Sequence, residues 1–478
     1  MKKKIYIGSG WMHEQFLWLL PLIYGYAKKD NIKEIILEKD FHNELVKQNL
    51  NLNFFFKGLK IIIINRPKKI YILKSGIINF FLIFKIYFSL NCKNILSHKL
   101  DWTFSQLLHG AWDQINISKK DNKDISFFHK LKIITYGVYK FSLAKRLSEL
   151  NVSAAFLSHS VYYERFMLAS FREDKIDTFC QAVTGIYKQK INEDVSWSDI
   201  KFGLYNKFFK KPKFINAYWK KRLKGKGHYQ TANYSTNKNR NLKVEGTFNL
   251  VLLHIFKDSP YNVIDRKRIF ADYFHWINET LKIIKDSNEI WFFKMHPVAK
   301  KWGEDQVKVF NYLLKKTYKK KPKNIVLIKD EYSNLRLISS AKKIITFHGT
   351  AHLESICLGK KPIVIQRSPI RKISKNLYIK PSNLIEYRKY LLSKDLDQFL
   401  VSKKEIQMGK TFLYIRENIH SLTHRVKRIE YYRKDPKKLG IRSYNSVKKM
   451  MKQKPNLNFF INQGKLLSQN KQTHTLND

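Results

Sequence analysis

Residues 344–365 read IITFHGTAHLESICLGKKPIVI, and the order of elements within them decides the fold class. The apolar, β-branched start is a strand, and His348-Gly349-Thr350 is the turn that ends it. A short helix carrying His352 and Glu354 follows, and a second strand begins after Gly359-Lys360-Lys361-Pro362. Strand, helix and strand in that order predict a parallel α/β sheet. The preceding sequence keeps the same rhythm. FNLVLLHIF (248–256), EIWFFKMHP (289–297), NIVLIK (324–329), KKIITFH (342–348) and KPIVIQR (361–367) read as strands. Between them, RIFADYFHWINETLKIIKD (268–286), DQVKVFNYLLKKTY (305–318) and NLRLISSA (334–341) read as helices. Five strands so joined predict a Rossmann-like sheet.

The N-terminal half repeats the pattern less densely. KIYIG (4–8), KEIILEK (33–39), AAFLSH (154–159) and DTFCQAV (177–183) are predicted strands, and FLWLLPLIYGYAKK a helix that Pro21 should break. Residues 196–246 are polar and basic and read as a connection with some helix. The expected division is 1–246, with 196–246 as its connecting segment, then 247–410, then 411–478, C-terminal helices and a basic tail that should fray or lie on the surface beyond about residue 440.

The chain has 478 residues, 44% of them hydrophobic, enough for two large cores. Cys92, Cys180 and Cys357 are widely spaced, which argues against a disulfide framework or a structural zinc site and fits a reducing cytoplasm. The formal charge of +53 favours anionic partners. Part of it follows from composition, because the abundant Ile, Asn, Phe and Tyr share AT-rich codons with Lys. The lysines are spread along the chain and no zinc finger, RRM signature or basic zipper occurs, so nucleic acid is not the expected partner. The apolar run after MKKK is too short for a secretory leader. GIINFFLIFKIYFSL (76–90) is too short to span a bilayer and includes Lys85; it reads as a core helix or as one that dips into a membrane face.

Ligands of open parallel sheets bind beyond the carboxyl ends of the strands. That rule selects His254, Lys257, Asp258 and Ser259 after the first strand of the second unit, and His296-Pro297 after the next. It also selects Ser333, Ser339 and Ser340 around the short helix, then His348, Gly349, Thr350, His352 and Glu354. Gly349 allows close backbone approach, and Thr350 is placed to cap a helix whose free N–H groups attract phosphate. Glu354 could accept hydrogen bonds from sugar hydroxyls. In the first unit, His13 and Glu14 lie in the first βα loop, and LSHSVYYERF offers His159, Ser160, Tyr162, Glu164 and Arg165. A carboxylate or imidazole here could serve as general base. Of Glu14, His159 and Glu164, Glu14 is preferred because it lies in the first βα loop. Asp395-Leu396-Asp397 reads as a helix start, and no HExxH, Walker or GxGxxG pattern occurs.

The string from HIFKDSPYN through WFFKMHP to ITFHGTAHLESICLGKKPIVI resembles bacterial capsule and surface-polysaccharide glycosyltransferases, among them transferases of CMP-activated Kdo. It is similar also to sialyltransferases with His-Pro and Ser motifs, and to teichoic-acid polymerases that use CDP-polyols. The likeness covers about 248–367 and is fainter over 96–190. It implies a GT-B fold, with two Rossmann-like domains facing across a cleft, the donor in the second and the acceptor in the first, and no metal cofactor. By position, His296 and Pro297 would hold the nucleotide, Thr350 phosphate, and Glu354 ribose or base. His254, Lys257 and Lys294 would add to the anion site, with Ser339, His348 and His352 around it. Glu14, His13 and Asp258 would be catalytic. Many members carry a Ser-Thr or Ser-Ser pair where this chain has His348-Gly349-Thr350, so one hydroxyl is absent. The expected partners are a nucleotide-sugar, a saccharide or glycolipid acceptor and the anionic inner leaflet, to which the enzyme would attach peripherally. The rival classes are a CDP-polyol phosphotransferase and a non-catalytic basic protein that binds nucleic acid or membrane.

Overall fold

A computed structural model describes residues 3–8, 13–47, 52, 56–65, 69–91, 101–119, 125–158, 162–182, 185–188, 202–224, 247–258, 269–285, 287–320, 322–329, 332–366, 368–419 and 454–469. The first unit comprises β1 (Lys4–Ile7), α1 (His13–Lys29), β2 (Glu34–Glu38), α2 (Lys39–Lys47), β3 (Lys60–Ile64), α3 (Lys69–Ile78), α4 (Phe80–Asn91), α5 (Trp102–Ser118), α6 (Phe127–Glu149), β4 (Val152–Leu157), α7 (Glu164–Glu173), β5 (Asp177–Ala182) and β6 (Gly185–Lys188). Its sheet has the order β3-β2-β1-β4-β5-β6 and is parallel except for the edge strand β6. Both faces are covered, which is why the strands alternate between two apolar clusters and not between core and solvent. Ile5, Ile7, Ile35, Leu37 and Phe156 face α1 and α2. Tyr6, Ile36, Ala155 and Leu157 face α6 and α7. A further layer, α3, α4 and α5, lies over α6.

The helices α8 (Phe202–Phe209) and α9 (Pro212–Leu223) come next, from the segment expected to connect the domains. Tyr205 and Trp219 bury against Leu353, Ile356, Phe412 and Leu413, so both helices join the C-terminal core. The second unit runs β7 (Phe248–Leu252), α10 (Tyr273–Ile283), β8 (Ile290–Lys294), α11 (Gln306–Thr317), β9 (Ile325–Ile328), α12 (Asn334–Ser340), β10 (Ile344–Thr346), α13 (Ala351–Cys357), β11 (Ile363–Val364), α14 (Leu384–Leu392) and α15 (Lys403–Tyr414). Its parallel sheet has the order β11-β10-β7-β8-β9. In both units the strand order is therefore 3-2-1-4-5 in local numbering, the doubly wound Rossmann order. Chain direction around the sheet reverses between β1 and β4 in one and between β7 and β10 in the other, which defines two switch-point crevices. The protein is α/β, with two Rossmann-like domains in a GT-B-like arrangement.

Two expectations fail. Pro21 does not break the first helix, because Leu20, Leu22, Ile23 and Tyr26 around it are all anchored in the sheet's core and hold α1 together through the proline. The tail does not simply fray: α16 (Lys454–Ser468) packs across α1 and places Leu467 in the N-terminal core. The crossing depends on two glycines. A Cβ at Gly25 would collide with the Ile461 carbonyl, and one at Gly464 with the Leu22 carbonyl. Gly464→Ala is expected to destabilise the protein by about 1–3 kcal/mol through overpacking. Gly203→Ala, where a Cβ meets nothing within 4 Å, should be neutral or mildly stabilising by helix propensity. Urea unfolding of the two variants checks the contrast.

Candidate functional site

The C-terminal crevice is lined by imidazoles because three strands of its sheet end in histidine-bearing turns. His254 follows β7, His296 follows β8, and His348 follows β10. The His254 and His348 rings lie 4.5 Å apart, and the His254 and His296 rings 6.2 Å. Tyr273 of α10 stacks on His254 with ring centroids 5.0 Å apart, and its hydroxyl lies 2.8 Å from His348 Nε2. The backbone fixes ring orientation. His348 N–H donates to His254 Nε2 at 3.3 Å, and Val298 N–H donates to His296 Nδ1 at 3.3 Å, leaving the proton of His296 on Nε2. His352 is buried, with Nε2 2.6 Å from the Ser368 hydroxyl, and supports the turn from behind.

Burial keeps these rings neutral. It pushes His296 down to about 4, with Lys294 adding to the effect, and His348 to about 4, helped by His296 and Arg416. His352 falls to about 3 and His254 well below its ordinary value, both chiefly through burial. At neutral pH the cluster therefore offers hydrogen bonds, while Lys294 and Arg416 supply positive charge.

The loops after β7 and β8 are braced by two residues that sequence reasoning missed. Gln306 donates to the His254 carbonyl at 2.6 Å and accepts from His296 N–H at 2.7 Å, and Glu304 accepts from Gln306 and from Lys257 N–H. A polar pair at the start of α11 gives no local signal of this.

Glu354 lies on α13 with only 2% of its surface exposed, and its carboxylate meets the Arg222 guanidinium of α9 at 2.8 Å. Arg222 also binds Glu417, which accepts from Tyr218 as well. The carboxylate expected to reach ribose thus faces a buried cation in this structure. Glu417 belongs to a π-helical turn, Ile415–Ile419, directly after α15, and that turn also carries Arg416. Thr350 sits at the N-terminal end of α13 without a side-chain cap, and α13 is two turns long, too short for much of the anion attraction expected of it. Gly349 has φ +99°, a left-handed conformation that suits glycine, beside the His254 ring. Ser339 is exposed at the far end of α12, on the opposite edge of the sheet, bonded to the Arg336 carbonyl. Lys257 and Pro297 are half-buried in the crevice loops. Asp395 precedes and Asp397 opens a 3₁₀ turn, Asp397–Phe399, and among the described residues no cluster of three His, Cys, Asp or Glu is placed to hold a metal.

At the N-terminal crevice, Ser158 follows β4 and donates to Glu164 Oε1 at 3.1 Å. Glu38, at the end of β2, accepts from Tyr6 and from Lys140 Nζ, the latter at 2.8 Å. Burial raises Glu164 to about 7. Arg165 points the other way, into a buried pair with Asp113 at 3.0 Å. His13 and Glu14 open α1, but their side chains lie outside the described residues, as do His159, Ser160 and Ser259. Tyr162, in a left-handed backbone conformation (φ 59°), donates to Asp258 Oδ1 at 2.9 Å. That bond joins the loop after β4 to the loop after β7, so the two crevices face each other.

No family model matches the chain, and no curated protein does. Solved structures similar in chain path include the β-Kdo 2,4 transferase KpsC of Thermosulfurimonas dismutans, at 12% identity over 54% of this chain and 79% of that one, with a TM-score of 0.33. A Rickettsia africae glycosyltransferase matches at 12% identity over 94% and 98%, with a TM-score of 0.27. The Methanocaldococcus jannaschii UDP-GlcNAc 2-epimerase, solved with UDP-GlcNAc and UDP, matches at 15% identity over 87% and 99%, with a TM-score of 0.24. At these scores the fold assignment stands on the strand order and crossovers above.

The depressed histidines make stability depend on pH. In the unfolded chain they take up protons near pH 6.5, whereas the folded protein resists protonation until about pH 4. Their contribution is complete above about pH 6.5 and declines as the pH falls towards 4. Glu164 and Glu304, both raised by burial, pull the other way, two groups against four. The melting temperature should fall between pH 7 and pH 5, and His348→Gln should flatten that slope in calorimetry.

Proposed function

We propose that the protein is a glycosyltransferase that moves a sugar from a nucleotide-activated donor, a CMP-sugar first among them, to a hydroxyl of a surface-polysaccharide or glycolipid acceptor. The observation that carries this reading is the opposition of two switch points. Three neutral imidazoles gather at one, a carboxylate with a pKa near 7 stands at the other, and Tyr162 and Asp258 link them. The nucleotide phosphate would lie against His254, His296 and His348, whose ring N–H groups donate to it, with Lys294 and Arg416 supplying charge. These donors are preorganised for the negative charge that gathers on the leaving group as the bond between the anomeric carbon and the phosphate oxygen breaks. Glu164, ionised for a large part at neutral pH, takes the proton of the acceptor hydroxyl as its oxygen bonds to the anomeric carbon, and the nucleotide leaves with the bonding pair. Asp258 and Tyr162 hold the acceptor side against the donor side. Glu354 acts as a positioning residue, fixing α13 and the Gly349 turn through Arg222.

Melting temperatures measured with CMP, CDP, UDP and GDP test the donor site. CMP should raise the transition and His296→Ala should abolish the rise; a curve indifferent to every nucleotide sinks the reading. In a transfer assay that follows both the new glycosidic bond and epimerisation of the donor, Glu164→Gln should lower kcat by about 10²–10⁴-fold while leaving nucleotide binding intact. The acid limb of the rate profile, near pH 7, should vanish with it. A loss of that size in Glu14→Gln, with Glu164→Gln active, would move the base to the first βα loop.

A further inference from the structure

Helices α3 and α4 meet at an angle of 80°, and the bend is pinned from inside. Asn79, between them, donates to the Ser75 carbonyl at 2.9 Å and lies 3.3 Å from the Ser142 hydroxyl of α6. Ile83 and Ile86 anchor the inner side of α4 in the core. The outer side is apolar too. Ile78 is 81% exposed at the bend, Phe81 86%, and Phe128, at the start of α6, 79%. The Phe80, Phe84 and Phe88 rings follow one another along α4 at 4.5 and 6.0 Å, and Tyr87 continues the ridge onto Phe127 at 5.1 Å. A helix apolar all round belongs in a core or in lipid, and half of this one is in neither. Contiguous exposed apolar surface of this kind marks an interaction site.

Charge selects the occupant. The helices α3 and α4 contain no acidic residue and α6 only its last, Glu149, while Lys69, Lys74 and Lys132 stand exposed around the ridge. A second copy of the same face would set lysines against lysines. An anionic lipid surface meets both the aromatics and the lysines. No single described helix is long and apolar enough to cross a membrane; α3 and α4 together have the length and composition, but the 80° bend and the anchoring of Ile83 and Ile86 in the core favour insertion of the outer face alone, parallel to the surface.

We propose that the α3–α4 bend and the N-terminus of α6 form a docking surface that inserts into one leaflet of an anionic bilayer. The surface stands independently of the catalytic reading. Its placement, which rests on that reading, bears on the acceptor. Along α6, Lys140 lies about 18 Å from Phe128 at the helical rise, and Lys140 holds Glu38 beside Glu164. The acceptor carboxylates are thus a few sugar units from the lipid, as suits a saccharide that grows on a lipid anchor.

Flotation of the full chain with phosphatidylethanolamine–phosphatidylglycerol vesicles tests the proposal. A protein of this charge binds anionic vesicles through Coulomb forces alone, so the discriminating arm is about 0.5 M salt, where such binding is screened. Wild type should stay on the vesicles there. The double variant Ile78→Glu/Phe81→Glu should be released, with about a tenfold or greater loss of the bound-to-free ratio. Ile385→Glu, at an equally exposed site on α14, should behave as wild type. Release of wild type by salt, or retention of the double variant, overturns the proposal. So does a dimer that the double variant breaks while wild type ignores vesicles. Unchanged nucleotide-induced melting shifts in the double variant would show that it folds and that the donor site is a separate matter.

Discussion

Arg222 ties together, at one charged point, three parts of the chain that also share an apolar core. Its guanidinium lies wholly buried between Glu354 and Glu417, so the helix leaving the first domain, the helix after the Gly349 turn and the π-turn after α15 are locked at one point. Burying three charged groups is costly, and removing one partner strands the rest, at about 3–5 kcal/mol for a buried pair. One side of the C-terminal crevice is hung from this point. The turn that carries His348 is fixed through α13, and Arg416 reaches the imidazoles because its neighbour Glu417 is tied down. A π-turn is a common device at functional positions, where one extra residue redirects a side chain.

The loops within the crevice are held to one another by hydrogen bonds to backbone. Gln306 spans the first two loops, Val298 and His348 N–H groups set two ring orientations, and Tyr273 closes the third side. Neutral imidazoles can crowd together in this way without a like-charge cost among themselves.

Much of this was legible in the sequence, and the division is physical. Strand and helix periodicities are local, so the alternating elements of residues 248–367 could be read directly, and the rule that ligands bind at strand carboxyl ends led to His254, His296 and His348. Arg222, Glu417, Arg416, Glu304 and Gln306 could not be read, because each takes its role from a group that another element brings to it and no local pattern in the sequence marks it. Glu354 was conspicuous for its place one turn into a helix after a glycine turn, but which group it faces is decided by a helix more than a hundred residues earlier. Residues 76–90 were ambiguous for a different reason. Composition gives the apolarity of a helix and not which half of it finds a core.

The crossing of α16 over α1 has a consequence for how the molecule is made. Synthesis delivers the first sheet and its helices early, with the α1 face that Leu467 and Gly464 cover still bare. The covering helix exists only once the ribosome has added the whole of the second unit that separates it from α1. The N-terminal lobe is therefore closed only after the C-terminal sheet has been made, and its nascent form must survive that interval with an open seam.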